Sequence, residues 1–424
     1  MNRLLIAYIL MVSIAPLGMM AQDETGPQLP IVLEFADSLV GRGTTETEER
    51  AFLGNVRFRQ GNVTVRADRA VQHVGANRVD LLGRVRVTQG SLMIEAPSLT
   101  YDGTTNIAVA RNGATVRDGA RTVRSNTARY SAKTHVARFS GDVRMQDDSL
   151  RMVADSLDYE RDTDRRLAWG NVAMADQGGA SWLQGDSVLH DAGRRTTTIV
   201  GNARIWQHDG ADSLFVQADR VVTERSKADA FVAVGDVSVV RGTLSARADS
   251  ILYDELTGLM FLHRDPVVWS DSTMLRADAI SLVAPERLVR SIVGAGNAFM
   301  TSRTDTAHAD RFDQLRGDSI VFTIDQDTVR MVEAVGNTQS LYFGTDDGEP
   351  QGLAQFASDT TRILFHQGTP DDVIWLGGIR GEHHPESVVA GRPATYRLPG
   401  FLWRDDRPRR TLPPDIPFLR TGSM

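Results

Sequence analysis

The sequence predicts an all-β fold built by repetition: about 11 repeats of roughly 30 residues, each adding two or three short strands to one shared core. Three observations predict it. A block reading Gly-(Asn/Asp)-(Val/Ala)-x-apolar recurs at Gly54, Gly83, Gly113, Gly141, Gly170 and Gly201, in steps of 29, 30, 28, 29 and 31 residues. Further copies begin at Gly235, Gly296 and Gly336, with degenerate ones at Asp265-Pro266-Val267 and Gly377-Gly378-Ile379. A second block, apolar-x-small-(Asp/Asn)-x-x-apolar-x-aromatic, keeps the same phase. Its small residue falls at Ala67, Ala96, Ser125, Ala154, Gly185, Ala218, Ala248, Ala277, Gly317 and Ser358. The third observation is a period of two. Val56/Phe58, Val85/Val87, Val143/Met145 and Val172/Met174 are apolar at i and i+2, with Arg57, Arg86, Arg144 and Ala173 between them. That alternation puts one set inside and the other in water.

Each element of the repeat has a physical reading. The Gly-Asn and Gly-Asp pairs are expected to supply turns, because Gly takes positive φ cheaply and Asn or Asp bonds its own backbone. The small residue before Asp marks a corner where a larger Cβ would collide with the next layer. Five residues further on there is often a ring, as at Tyr101, Tyr130, Tyr159, His190, Tyr253 and Phe322. The longer late steps point to insertions at 301–312 and 344–355, expected to be loops on one face.

The ends of the chain differ from its middle. Arg3, the apolar run from Leu4 to Ala15 broken only by Ser13, the helix breakers Pro16 and Gly18, and the small Ala21 read as a secretory signal peptide over residues 1–21. The run is shorter than the roughly 20 apolar residues that span a bilayer. Removal is therefore the expectation, with retention as an anchor the alternative left open by the poor Met19-Met20-Ala21 consensus. Residues 22–380 form the repeat domain, as one array or two stacked segments. Residues 381–424 carry Pro385, Pro393, Pro399, Pro408, Pro413, Pro414 and Pro417 among arginines and aspartates. Proline cannot donate to a ladder, so this tail is expected to be extended or disordered.

Composition narrows function. With 47 basic against 54 acidic residues the net charge is −7, without the basic stripe that nucleic acid requires. The absence of cysteine excludes disulfides and thiolate metal sites. Gly185-Asp186-Ser187-Val188 and Gly317-Asp318-Ser319-Ile320 mimic a lipase-type nucleophile motif. Both fall in the repeating corner, whereas a nucleophile occurs once, beside a positioned base. Asp162/Asp164 and Asp325/Asp327 sit at turns without a spelled-out calcium cage, and His383-His384 is a pair without partner ligands. No catalytic residue, metal site or cofactor is expected.

Phe139-Ser140-Gly141-Asp142-Val143-Arg144-Met145, then Val153-Ala154-Asp155-Ser156-Leu157-Asp158-Tyr159, then Leu167-Ala168-Trp169-Gly170-Asn171-Val172, resembles the repeat unit of the OstA-like/LptA family. The unit is shared by LptA, LptC and the amino-terminal part of LptD, and the resemblance covers about residues 31–380. It implies an elongated twisted β-jellyroll, open along one side, in a periplasmic bridge that carries lipopolysaccharide between the inner and outer membranes. Lipid A acyl chains would lie inside, and LptC-like and LptD-like proteins, or further copies of the chain end to end, would dock by edge-strand pairing. Val56, Phe58, Val87, Val116, Met145, Met174, Ile205, Val239, Trp269 and Met300 fall on one register and are the candidate lipid-facing residues. The chain departs from a typical LptA in having about twice the repeats, and it lacks the carboxy-terminal strands of the LptD barrel. Two rival readings share much of this pattern: a structural or adhesive envelope β-rod, and a polysaccharide-active β-helix enzyme.

Overall fold

The computed structural model describes residues 31–420 apart from 45–47, 161, 209–212, 226–228, 255, 286–287, 304–307, 327, 347–348 and 367–368. The signal-peptide reading of residues 1–21 thus lies outside the described residues. The chain divides into two compact units, residues 1–203 with 413–424 and residues 204–412.

Unit 1 is an antiparallel meander. β1 (Val32–Phe35) and β2 (Ser38–Arg42) both pair with β3 (Glu49–Gln60). Then come β4 (Val63–His73), β5 (Arg78–Gln89), β6 (Leu92–Asp102), β7 (Ile107–Arg111), β8 (Ala114–Asp118), β9 (Arg121–Ser125) and β10 (Thr127–Ser131). They are followed by β11 (Val136–Gln146), β12 (Leu150–Glu160), β13 (Arg165–Asp176), β14 (Ser181–Asp191) and β15 (Thr196–Gln207), whose last residues belong to unit 2. Unit 2 continues with β16 (Leu214–Arg225), β17 (Asp229–Arg241), β18 (Leu244–Asp254), β19 (Leu259–His263), β20 (Val267–Ser270), β21 (Thr273–Arg276) and β22 (Ala279–Val283). It ends with β23 (Ser291–Ser302), β24 (Asp313–Asp325), β25 (Thr328–Asp346), β26 (Glu349–His366), β27 (Thr369–Leu376) and β28 (Arg380–Pro385). All recorded pairings within each unit are antiparallel, as expected for strands joined by short turns.

One expectation is corrected here. The Gly-(Asn/Asp) pair does not connect two strands; it bends a single one. In β11 both Gly141 and Asp142 have positive φ (77° and 46°). The register steps from Ser140↔Ser156 to Val143↔Ala154, so two residues oppose the single Asp155 and pairing resumes beyond them. That is a β-bulge, which kinks a strand without ending it. The repeat is therefore a hairpin of two long, bent strands rather than two or three short ones. The same positive-φ pair occurs at Gly170-Asn171 and, with substitutes, at Asn112-Gly113 and Arg264-Asp265. The strand-joining turns lie elsewhere, as in the two-residue links Gly61-Asn62 and Gly90-Ser91, where glycine supplies the positive φ of a tight hairpin.

The acidic residue of the second block explains the glycine of the first. A Cβ on Gly170 would lie 2.7 Å from Asp155 Cβ and 2.8 Å from its Cγ, so only glycine admits this carboxylate. Asn171 Nδ2 then donates to Asp155 Oδ2 at 3.0 Å, and Asn297 repeats the bond to Asp278 at 2.9 Å. Where arginine replaces asparagine, Arg84 reaches Asp68 through Nε at 2.9 Å and holds that carboxyl below the usual carboxylate range. Asp37 closes the corner of Gly54-Asn55 in the same way, revealing an Ala36-Asp37 copy that the sequence pattern alone had not shown. The small residue faces inward at each bend. Val143 pairs with Ala154 and Val172 with Gly185, where a Cβ would lie 2.5 Å from Ile199 Cγ2.

The segment 344–355 is not a loop either. β25 and β26 are simply longer, pairing on through Phe343↔Leu353 and Gly344↔Gly352. Along most of its length the tail lies against the rest of the chain. After β28 and a one-turn helix α1 (Glu386–Val389), residues 397–412 run without regular structure against the outer side of unit 2. Val389 and Leu398 are buried with Phe299, Leu341, Phe343 and Leu353. Trp403 packs on Val267, Trp269 and Met274, with Arg303 Cζ 4.9 Å from its ring centroid. The strap binds through both its carbonyls and its own guanidinium groups: Arg407 donates to Ser245 Oγ at 2.8 Å and to Asp271 O at 2.7 Å. Arg276 Nη2 donates to Gly400 O at 2.7 Å, and Trp206 Nε1 to Thr411 O at 2.7 Å. In unit 1, Leu419 is buried and Arg151 donates to the Arg420 carbonyl.

Two glycines of unit 1 separate the close approach at the corner from positive φ alone. Gly170→Ala combines a close approach with φ +75°, and is expected to cost about 2–4 kcal/mol. Gly90→Ala has φ +58° but open space around its Cβ, and should cost about 1 kcal/mol. Urea titrations followed by far-UV circular dichroism measure both; equal losses would refute the corner as the special constraint.

Candidate functional site

The bend gives every long strand two arms, and the arms line an apolar interior from both sides. In unit 1 the arm after the corner carries a ladder of directly paired side chains: Phe58, Val65, Val87, Ile94, Val116, Val123, Met145, Met152, Met174 and Leu183. The arm before it carries Phe52, Ala70, Leu81, Leu99, Ala110, Ala128, Phe139, Leu157, Ala168 and Val188 in the same manner. Val56, Ala67 and Val85 sit between the ladders at the bend, in one cluster with Phe52, Ala70, Leu81 and Leu99.

Most of the sequence candidates meet on this interior. Phe58, Val87, Val116, Met145 and Met174 are rungs of the unit 1 ladder, and Val56 lies two residues nearer the bend. In unit 2, Val239 and Met300 belong to the corresponding ladder, which runs Val216, Val239, Ala246, Val268, Leu275, Met300, Leu315. Ile205 is buried. Trp269 is the exception. It pairs with Ser245 and Met274, on the opposite face, beneath Trp403 of the strap. The positive-φ pair there is Arg264-Asp265, one residue earlier than the Asp265-Pro266 alignment suggests, so Val268 takes the interior position.

The ladder is not uniformly open. Phe58, Val65, Val87, Ile94 and Val116 are half-buried, whereas Val123, Met145, Met152, Met174 and Leu183 are buried. Between the arms at the second group lies a cavity of about 40 Å³, lined by Met145, Met152, Met174, Leu157, Ala168 and Val188. That is little more than the volume of one water, so an alkyl chain enters only if the flexible thioethers move aside. The unit 2 ladder is buried from Val216 to Leu315.

Polar groups line the same cavity. Arg166 and His190 face it from the arm before the corner, with His190 Nδ1 3.0 Å from Thr197 Oγ1. Burial lowers the His190 pKa, and the Arg166 guanidinium lowers it further against the opposing pull of Asp164 and Asp191. Arg121 and Asp147 form a largely buried pair at 3.6 Å.

Several of the remaining sequence candidates have structural partners, while Asp327 lies outside the described residues. Asp186 and Asp318 of the lipase-like motifs occupy the corners of Gly201 and Gly336. Asp162 pairs with His135 at 2.9 Å and Asp164 with Arg166 at 2.9 Å. His384 packs against Tyr396, with ring centroids 4.8 Å apart and the planes tilted by 48°. Among the described residues no group of three or more acidic or histidine side chains could hold a metal ion.

Bent antiparallel strands around an apolar interior define a β-jellyroll. Residues 29–131 match the family model described as OstA-like protein, and residues 122–286 match that of the LptA/(LptD N-terminal domain) LPS transport protein. Over residues 29–286, which the two matches span together, the chain belongs to the OstA-like/LptA family. Among solved structures it is similar to LptH, the LptA-homologous periplasmic component of the lipopolysaccharide transport device of Pseudomonas aeruginosa. That likeness has 15% identity and a TM-score of 0.27, over 34% of this chain and 95% of that one. No curated protein matches the chain. The corners at Gly296, Gly336 and Gly377 carry the repeat beyond the matched residues.

A pH dependence follows from His190. The folded chain favours the neutral ring, so below the ordinary value of 6.5 the unfolded chain takes up the proton first. Stability present above pH 6.5 is therefore lost as the pH falls towards the folded pKa. Thermal midpoints at pH 7.5 and 5.0 should differ less in His190→Asn than in the parent; an identical drop would show that the ring is not a source of acid sensitivity.

Proposed function

We propose that this protein is a periplasmic lipopolysaccharide carrier of the transmembrane bridge, which shields acyl chains on its interior face and makes or breaks no bond. The observation that carries this reading is the half-buried apolar ladder Phe58, Val65, Val87, Ile94 and Val116. An apolar face left partly in water inside a fold gains about 2.5 kcal/mol for every 100 Å² that a ligand covers. The methionines beyond it suit a surface that reshapes around flexible chains. Family membership supports the same role, and the signal-peptide pattern of residues 1–21 supports export to the periplasm.

Partner docking is proposed at the strand edges. β1 and β2 pair only with β3 among the described strands, and Val32, Leu33, Phe35, Leu39 and Val40 are exposed there. In unit 2, β27 and β28 pair only with β26, and Ile374, Leu376 and Ile379 are exposed. Free edges template pairing with another chain, which suits LptC-like and LptD-like partners or a second copy.

Native mass spectrometry of gently purified periplasmic protein, with and without added lipopolysaccharide, tests the carrier role. Phe58→Asp and Val116→Asp, at half-buried positions, should lower the lipid-bound fraction at least tenfold while circular dichroism stays unchanged. Arg144→Asp, on the outer face beside Met145, should leave it unchanged. A folded parent protein that never carries lipid would overturn the reading in favour of a structural rod.

A further inference from the structure

The outer face of unit 1 holds a second surface, unconnected with acyl chains. A groove of about 930 Å³ runs over β3 to β9 on the arm after the corner. Five arginines line it against two carboxylates, Asp68 and Glu95. Asp68 is held by Arg84, and Glu95 by Arg86 and Arg117. Arg57, Arg66 and Arg124 are exposed and have no hydrogen-bond or ion-pair partner among the described residues. Moreover, Arg57 pairs directly with Arg66 across the ladder, and Arg66 with Arg86. Like charges directly opposite one another destabilise a sheet, so the unoccupied row is electrostatically frustrated.

Unit 2 shows what such a row can hold. The residue before the small corner residue is arginine at Arg66 and Arg124 in unit 1, and at Arg247, Arg276 and Arg316 in unit 2. All three in unit 2 grip the extended strap. Arg316 Nη1 donates to Pro399 O at 3.3 Å, Arg276 Nη2 to Gly400 O at 2.7 Å, and Arg247 Nη1 to Asp406 Oδ2 at 2.6 Å. They are half-buried by it, whereas Arg66 and Arg124 stand in solvent. The repeat position thus has one demonstrated use in this molecule: binding an extended segment through its carbonyls and a carboxylate.

We propose that the arginine row Arg57, Arg66, Arg86 and Arg124 docks an extended, proline-containing, carboxylate-bearing peptide segment of a partner protein. Extension matches the strap's geometry, and proline keeps a segment extended at low entropic cost. Carboxylates are required because the groove has more excess positive charge than backbone carbonyls relieve, and guanidinium forks take them in pairs. The arginines alternate along the strands with the apolar ladder, so changing them tests the row separately from lipid carriage.

The probe is a fluorescein-labelled peptide of four Asp-Pro-Leu repeats, titrated with the full-length protein in low salt and read by anisotropy. Its Lys-Pro-Leu counterpart and vesicles containing an anionic phospholipid are run in parallel. Saturable binding of the acidic peptide alone is expected, weakened at least tenfold by Arg66→Glu with Arg124→Glu at an unchanged thermal midpoint. Arg111→Glu with Arg129→Glu makes the same change in net charge on exposed positions of the other arm, and should weaken binding less than twofold. Absence of saturable binding, or equal loss in the two double variants, would overturn the proposal. So would vesicle binding through Arg66 and Arg124 in preference to the peptide, since that would make the row a headgroup site.

Discussion

The stacking of a carboxylate against a glycine is the constraint on which the rest of the structure depends. At most bends an aspartate of one strand, or Asn126 beneath Gly141, fills the space where the next strand would carry a Cβ, as Asp155 does beneath Gly170. The positive φ at Gly170 and Asn171 turns the strand, and the asparagine amide secures the carboxylate that made the glycine necessary. Geometry and hydrogen bonding therefore specify the same residue pair from two directions. A bulge of two residues opposite one kinks the sheet without forfeiting the ladder on either side. Repetition of the kink in phase lets every long strand contribute to both walls of its unit's interior.

The walls then acquire different uses without any change in backbone plan. On the inner face, apolar rungs follow one another from Phe58 to Leu183, half-buried at first and closed over by methionines later. On the outer face, the same strands present arginines three residues after the corner glycine or just before the small residue. In unit 2 that outer face is covered by the proline-rich strap, which explains why Trp269 and Met274 are buried on the side away from the interior. Neutral carbonyls accept from Arg276 and Arg316, and Asp406 meets Arg247. A tail that cannot extend the ladder is thus held by side chains of the ladder instead.

Closure of the Met145–Met174 region bears on transport. A cavity of about 40 Å³ does not accommodate an acyl chain as it stands. A carrier that passes flexible chains along requires a surface that yields locally, and unbranched thioethers yield at lower cost than β-branched residues. Arg166 and His190 line the same cavity and make part of its wall polar.

By itself the sequence determined that the fold is all-β, that it repeats every 30 residues or so, and which face of each strand is apolar. Those features are local: a period of two, and a phase repeated often enough to be read through worn copies. It also singled out the corner residues, because a glycine, an asparagine and a small residue before aspartate recur together. What the corner does was decided only in three dimensions. A positive-φ pair ends one strand or bends it according to whether the partner strand offers a residue to pair beyond it, and that partner lies about 15 residues away. The same holds for Trp269, whose face changes with a one-residue shift of phase at Arg264. It holds most for the tail, since a proline-rich stretch has no periodicity of its own and takes its course from the arginines, rings and apolar side chains that receive it.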